Sequence, residues 1–159
     1  MPVCNACKME VETTTNNVCM DCQTQQKVDA FNNMWKWSIN FQVKFTPEEM
    51  PTYLKQEKHY NEYDGAKVRE MIQKIDALTP TKYYNPGNPN NGKPHHVYNI
   101  GREGSPVIYL EIRKIYMPNN FDYDTYTMDL KRLAYEAEAD EAGIITNNDH
   151  EFIARFWWD

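Results

Sequence analysis

The chain has 159 residues, a formal net charge of −6 and 41% hydrophobic residues, enough for one compact domain with a small appendage. An aromatic content of 13% argues against a wholly disordered chain, and the negative charge argues against a protein that coats nucleic acid by bulk electrostatics. There is no signal segment and no apolar run of about 18 residues. We therefore expect no membrane partner and a reducing intracellular setting, in the cytoplasm, a host cytoplasm or a virion.

All four cysteines lie in the first 22 residues, as the pairs Cys4–Cys7 and Cys19–Cys22. Two C-x2-C pairs at this separation have the spacing of a tetrahedral Cys4 zinc site. Two disulfides are disfavoured because no apolar signal segment precedes the first cysteine. The interpretation as a redox C-x-x-C motif is less favoured still, since two pairs so close in sequence would compete for one metal ion. The spacing predicts one structural Zn2+.

The residues between and after the cysteine pairs predict a hairpin and then a helix. Residues 9–18 are rich in β-branched side chains and contain Asn16-Asn17, which suit a turn, and residues 23–36 have apolar residues near one helical face. The predicted order is a cysteine knuckle, a hairpin, and a helix whose first turn holds the last cysteine pair. This order resembles a treble-clef zinc finger over residues 1–36. The usual knuckle glycines are replaced by Lys8 and Gln23, so a plain zinc ribbon remains an alternative.

The charge of this finger argues against DNA reading. Residues 1–30 carry two lysines against four acids, and four thiolates around a zinc ion would add further negative charge. A finger that grips phosphates should be basic. We therefore expect the finger to be a structural cap or a protein-contacting module, with a second, α+β domain over residues 37–159.

The second domain begins with the clearest strand of the sequence. In residues 37–45 large apolar side chains alternate with polar ones, a period of two that predicts a strand with one face in the core. The predicted inward residues are Trp37, Ile39, Phe41, Val43 and Phe45. Helices are predicted over residues 52–63, after the early break at Pro51, and over residues 66–78.

The remaining elements complete a β-α-β-β-α-β order. Residues 79–94 contain four prolines and predict a long loop, and residues 96–100 and 106–116 predict paired strands. A helix is predicted from Asp122 or Asp124 to about Ala142, ended by Gly143, and a last strand over residues 151–158. This is the order of a ferredoxin-like sandwich, a four-stranded sheet with two helices on one face.

In that sandwich the face of the sheet without helices is the natural binding surface. Ile108, Leu110 and Ile112 suit the core, which turns their neighbours outward. On that outward face, tyrosine and tryptophan side chains can stack bases of a single-stranded nucleic acid, and lysine and arginine side chains can contact phosphate. An ordinary solvated or partner-covered sheet is the plainer alternative, because the aromatic signature of RNA-recognition sheets is absent. The candidates on this surface are Lys44, Tyr109, Arg113, Arg155 and Trp157.

A second candidate surface combines basic and aromatic residues of the long loop and the strand after it. Such a mixture suits a nucleic-acid strand or an acidic partner. Its members are Lys82, Tyr83, Tyr84, Lys93, His95, His96 and Arg102. Adjacent strand residues point to opposite faces, so His95 and His96 do not readily bind one ion.

The sequence favours a zinc-stabilised, non-catalytic adaptor that binds a macromolecule, a protein partner above all, in nucleic-acid metabolism or a virus-like assembly. One alternative is a small nuclease or strand-transfer enzyme that uses the sheet face, with Glu111 as a metal ligand, or His96 with Tyr126 and Lys131. Another is a structural component of a phage particle, in which zinc staples a small module.

Overall fold

The structure is a computed structural model that describes residues 3–8, 14–15, 18–80 and 96–159, with backbone alone at 14–15. Five candidates of the second surface, Lys82, Tyr83, Tyr84, Lys93 and His95, lie outside these residues, as does most of the predicted loop. Within the described ranges, no helix combines the length and apolar character that crossing a bilayer requires.

Fourteen elements are named in the described part of the chain. In chain order they are β1 (Thr14–Thr15), β2 (Val18–Cys19), α1 (Met20–Trp37), β3 (Asn40–Phe45), α2 (Met50–Leu54), β4 (His59–Tyr60), β5 (Tyr63–Asp64), α3 (Gly65–Leu78), β6 (His96–Glu103), β7 (Ser105–Arg113), a 3-10 turn (Lys114–Tyr116), α4 (Tyr123–Glu136), β8 (Glu141–Asn147) and β9 (Glu151–Trp157). The mixed α and β architecture predicted from the sequence is confirmed.

The central sheet has five antiparallel strands in the order β3-β6-β7-β9-β8. The predicted ferredoxin-like order differs from it. In a split βαβ arrangement another strand lies between the two strands that a helix connects, whereas β3 and β6, on either side of α3, are hydrogen-bonded neighbours. The fifth strand is β8, which forms a hairpin with β9 at the opposite edge.

One hydrophobic core lies between the sheet and its helices. The inward positions of the strands supply Phe45, Tyr98, Leu110 and Phe152, and all four are fully buried. Helix α1 contributes Phe31 to the same core, with its ring 5.3 Å from Phe41 and 5.8 Å from Phe45, centroid to centroid. The helix that follows the cysteine cluster is thus packed on the sheet.

Two residues predicted to begin the inward face of the first strand lie elsewhere. Trp37 is the last residue of α1 and is 73% exposed, and Ile39 precedes β3 and is 64% exposed. The inward pattern starts only at Phe41. The alternation was misread across a helix end, because Ser38, as the C-cap of α1, donates its N–H to the Met34 carbonyl at 2.7 Å.

Two helix predictions were too long. In place of the helix predicted over residues 52–63, the structure has the five-residue α2, which starts two residues earlier, and then the β4–β5 hairpin, whose turn holds Asn61 at φ 47°. Helix α4 ends at Glu136, and Glu138 takes a φ of 65° that stops it. Gly143, predicted to end this helix, lies within β8 opposite Arg155. Asn61 can adopt its positive φ because asparagine tolerates the left-handed region. At Glu138, the positive φ turns the chain out of α4 and toward β8 of the sheet.

Candidate metal centre and binding surfaces

The four cysteines converge at the N-terminus. One ligand atom from each, its Sγ, lies within 4.8 Å of the other three, and the four thiols are free. Cys4 and Cys19 are buried, while Cys7 is exposed. Four sulfurs gathered without a disulfide form a set that can hold one metal ion.

Local structure explains how the pairs are aimed at one point. The first pair forms a turn closed by the Lys8 N–H, which donates to the Cys4 carbonyl at 2.9 Å, and Lys8 adopts a φ of 63°. A left-handed residue is where a knuckle glycine would ordinarily stand. In the second pair, Cys19 is the N-cap of α1 and Cys22 lies in its first turn, as the sequence predicted.

Backbone donors prepare Cys4 to be a thiolate. The N–H groups of Cys19 and Cys7 donate to Cys4 Sγ at 3.3 and 3.5 Å. These bonds, the one from Cys19 first, lower the pKa of Cys4 to about 6, whereas the neighbouring sulfurs of Cys19 and Cys7 raise the pKa of Cys22 to about 12. Without a metal, the cluster therefore holds protons that a bound cation would displace.

The outer face of the sheet brings together four of its five predicted candidates. Tyr109 of β7 lies opposite Arg155 of β9, and Trp157 follows two residues later on the same face. Lys44 of β3 belongs to the same row, because it pairs with Asn99, which pairs with Tyr109. The predicted outward phase of β7 and β9 is therefore correct.

Acidic residues occupy this face as well. Glu103 accepts hydrogen bonds from the Tyr109 hydroxyl and from Arg155, the latter at 3.0 Å, and Arg155 also contacts Glu141 at 2.8 Å. Partial burial raises the pKa of Glu103, but the bonds from Tyr109 and Arg155 outweigh it and leave that pKa below its ordinary value. Arg155 is thus shared by two carboxylates.

Lys44 is also near an acid, since its Nζ lies 3.6 Å from a carboxylate oxygen of Glu111. The cations in the middle of the sheet face are therefore matched by carboxylates of the same face. Binding of phosphates there would have to displace these ion pairs, which lowers the electrostatic gain. Glu111 itself is engaged by a lysine, and among the described residues it belongs to no group of three or more acids or histidines that could hold a metal ion.

Arg113, the fifth candidate of this face, lies apart from the network, at the end of β7. It is exposed and lines a cleft of about 990 Å3 together with Lys114, Tyr123 and His150. The Lys114 ammonium lies 4.3 Å from the Tyr123 ring centroid. Asp149 and Glu151 line the same cleft, so its charge is mixed.

Arg102 has a packing role on the helix-covered side of the sheet. Its guanidinium lies 4.9 Å from the Tyr60 ring centroid and 5.7 Å from that of Trp35, and it donates to the carbonyls of Trp35 and Gly104 at 3.2 and 3.0 Å. These contacts hold α1 and the β4–β5 hairpin against the sheet.

His96 is buried, with a side chain that is 0% exposed. Its Nε2 lies 2.7 Å from Asp76 Oδ1, and the same oxygen accepts from the Tyr98 hydroxyl at 2.5 Å. Tyr126 is buried nearby, where its hydroxyl lies 2.6 Å from Thr79 Oγ1 and burial raises its pKa well above the usual range. Neither His96 nor Tyr126 presents a surface that a macromolecular substrate could reach directly.

Sequence reasoning missed Asp76 because nothing in its spacing marks it. It lies twenty residues before His96, on α3, and only the packing of this helix on β6 joins the two.

No family model, curated protein or solved structure matches the chain.

Proposed function

We propose that the Cys4 cluster binds one structural zinc ion and forms a treble-clef-like finger. The convergence of four free sulfurs within 4.8 Å carries this proposal. A tetrahedral set of four thiolates binds zinc in preference to harder divalent cations. The position of Cys19 and Cys22 at the start of α1 supports the treble-clef form over a plain ribbon, because a ribbon does not need that helix.

Metal analysis tests the zinc proposal directly. We expect one zinc per chain in protein purified without added chelator, and a Cys19→Ser variant should lose the metal and melt at a lower temperature. Because α1 packs Phe31 into the core, the loss should also broaden amide signals of the sheet. A metal-free protein with four titratable thiols and an unchanged melting curve would contradict the proposal.

We propose that the metallated chain is a non-catalytic adaptor for a protein partner, in nucleic-acid metabolism or a virus-like assembly inside a cell. Large apolar side chains exposed where α1 meets β3 support partner binding: Trp37 is 73% exposed and Ile39 is 64% exposed. Ile39 is held in place by its carbonyl, which accepts from the Gly104 N–H at 2.8 Å. Exposed aromatic residues on rigid elements are typical anchors of interfaces.

Partner capture and nuclease assays distinguish the function classes. A purified interacting protein should bind the wild type and lose most of its affinity for Trp37→Ala, while Met128→Ala, which removes another exposed apolar side chain (72% exposed), leaves binding unchanged. Labelled single-stranded DNA and RNA serve as the nucleic-acid probes. Cleavage that depends on a metal ion and disappears in Glu111→Ala would replace the adaptor with an enzyme. Salt-dependent binding that Tyr109→Ala and Arg155→Ala reduce would assign the sheet face to nucleic acid.

A further inference from the structure

Helices α2 and α3 enclose a groove of about 410 Å3 on the side of the molecule that carries the helices. Its walls are largely apolar, from Met50, Pro51 and Leu54 of α2 and Ile72 of α3. A volume of this size accommodates one long side chain or a small organic molecule. At the α3 side, the groove also contains the carboxylate of Asp76.

Asp76 is held in one orientation by buried donors. Its Oδ1 accepts from His96 Nε2 at 2.7 Å and from the Tyr98 hydroxyl at 2.5 Å. Both donor residues are buried, whereas the Asp76 side chain is 31% exposed. Both bonds end on one oxygen, and no hydrogen bond among the described residues reaches Oδ2, which can therefore accept from a ligand. A carboxylate fixed from behind in this way loses little conformational freedom when it binds a cation.

The Asp76 carboxylate is the feature of the groove that favours a cationic ligand. Among the described residues, no lysine or arginine forms an ion pair with Asp76. Arg69, which also lines the groove, is paired with Glu57, and Lys55 is exposed, where solvent screens its charge. Among the described residues that line the groove, Asp76 is the only acid, and it stands beside the apolar walls without a lysine or arginine partner.

We propose that this groove binds an arginine or lysine side chain of the partner protein, with its aliphatic stem along Met50, Leu54 and Ile72 and its charged end on Asp76. Long basic side chains bury their methylene groups on apolar surface while their heads reach an acceptor. A planar guanidinium can also donate two parallel bonds to a carboxylate. The net charge of −6 draws a basic partner toward the molecule. The inference rests on the adaptor function proposed above and names the chemistry of its partner.

The test uses two matched small probes on the zinc-loaded full chain, N-acetyl-arginine amide and its neutral isostere N-acetyl-citrulline amide. Titrations followed by amide chemical shifts should move signals of α2 and α3, and the arginine probe should bind about tenfold more tightly, as expected for one charge-assisted contact. Asp76→Asn keeps the shape and should reduce the affinity for the arginine probe to that of citrulline. The control Glu70→Gln removes an exposed acid from the same helix, where it pairs with Lys74, and should leave both affinities unchanged.

Equal affinities of the two probes for the wild type, a preference for arginine that survives Asp76→Asn, or shifts confined to other elements would each overturn the inference. Since Asp76→Asn also alters the bonds of His96 and Tyr98, a second measurement uses the unmodified chain: added salt should weaken the arginine probe and leave citrulline unaffected at the α2 and α3 signals. Zinc content and Trp37-dependent partner capture are measured separately. The groove can therefore fail while the adaptor function holds.

Discussion

Gly101 of β6 lies so close to Phe41 of the edge strand β3 that a Cβ on the glycine would overlap the Phe41 carbonyl and lie 2.9 Å from Gln42 Cα. No flexible side-chain end is involved, only backbone of the neighbouring strand. The pairing of β3 with β6 therefore requires the absence of a side chain at this position. Gly143, in the opposite edge strand β8, has nothing within 4 Å of the same built atom.

This contrast predicts opposite effects of the same substitution. Gly101→Ala should push β3 away from β6 and lower the free energy of unfolding by at least about 1–3 kcal/mol, as overpacking does. Gly143→Ala should be neutral or stabilising by up to about 1 kcal/mol, because glycine within a strand costs backbone entropy. Urea unfolding of both variants measures the difference. Equal stability of the two variants would mean that β3 does not approach β6 as described.

Patterns within single elements were readable from the sequence. The cysteine spacing located the cluster because four ligands within 22 residues leave few other geometries. The alternation of the strands correctly turned Tyr109 and Arg155 outward, because the two faces of a strand follow from its period of two. The inward Phe41 and Phe45 followed from the same rule.

Features that depend on packing between distant elements were not readable. The stretch after Glu136 is rich in alanine and glutamate, which favour helix, yet Glu138 adopts a left-handed φ and the chain turns into β8. The contact of Asp76 with His96 likewise arises from the packing of α3 on β6, and its carboxylate gave no pattern. At the end of α4, tertiary structure outweighs the local helix propensity. For the contact of Asp76 with His96, local propensity carries no information.

The C-terminus contributes to stability through Trp158. This residue is fully buried, donates its indole N–H to the Ala137 carbonyl at 2.9 Å, and packs against the Tyr63 ring at a centroid distance of 5.1 Å. Trp158→Ala should lower the free energy of unfolding by about 3–5 kcal/mol. Trp158→Phe retains most of the contact but leaves the carbonyl unpaired, so a smaller loss is expected.

Trp37→Ala is the matched control for this experiment, since Trp37 is 73% exposed and its removal should change stability by no more than about 0.5 kcal/mol. Denaturant midpoints of the three variants measure the series. A Trp158→Ala variant as stable as Trp37→Ala would show that the last residues do not dock in the core.

Buried tyrosines make the fold sensitive to alkali. Burial raises the pKa of Tyr63 from its ordinary 10.0 to about 12 and raises those of Tyr53 and Tyr98 well above the usual range. Above pH 10 the unfolded chain loses phenolic protons that the folded chain retains, so stability falls as pH rises through this window. Each such tyrosine contributes a slope of about 1.4 kcal/mol per pH unit between its two pKa values.

Unfolding free energies measured at increasing pH, together with tyrosinate absorbance, test this sensitivity. Tyr63→Phe should make the decline above pH 10 shallower, although it also removes the 3.1 Å contact between the Tyr53 and Tyr63 hydroxyls and lowers stability at neutral pH. Tyr135→Phe, at a site 52% exposed, is the control for removing a phenolic hydroxyl from the surface. Identical slopes in all three proteins would argue that Tyr63 ionises freely in the folded state.

Substitutions of Cys22 separate metal binding from mere loss of a thiol. Cys22 lies in the first turn of α1 and is partly exposed, so a larger ligand can be accommodated there. Cys22→His leaves a Cys3His set, which also binds zinc, and should retain one zinc per chain and most of the melting temperature. Cys22→Ser removes the fourth ligand and should release the metal to a chelator far faster. If the histidine and serine variants both keep zinc as tightly as the wild type and melt at the same temperature, Cys22 is not a ligand, and the metal is held by the other three cysteines alone.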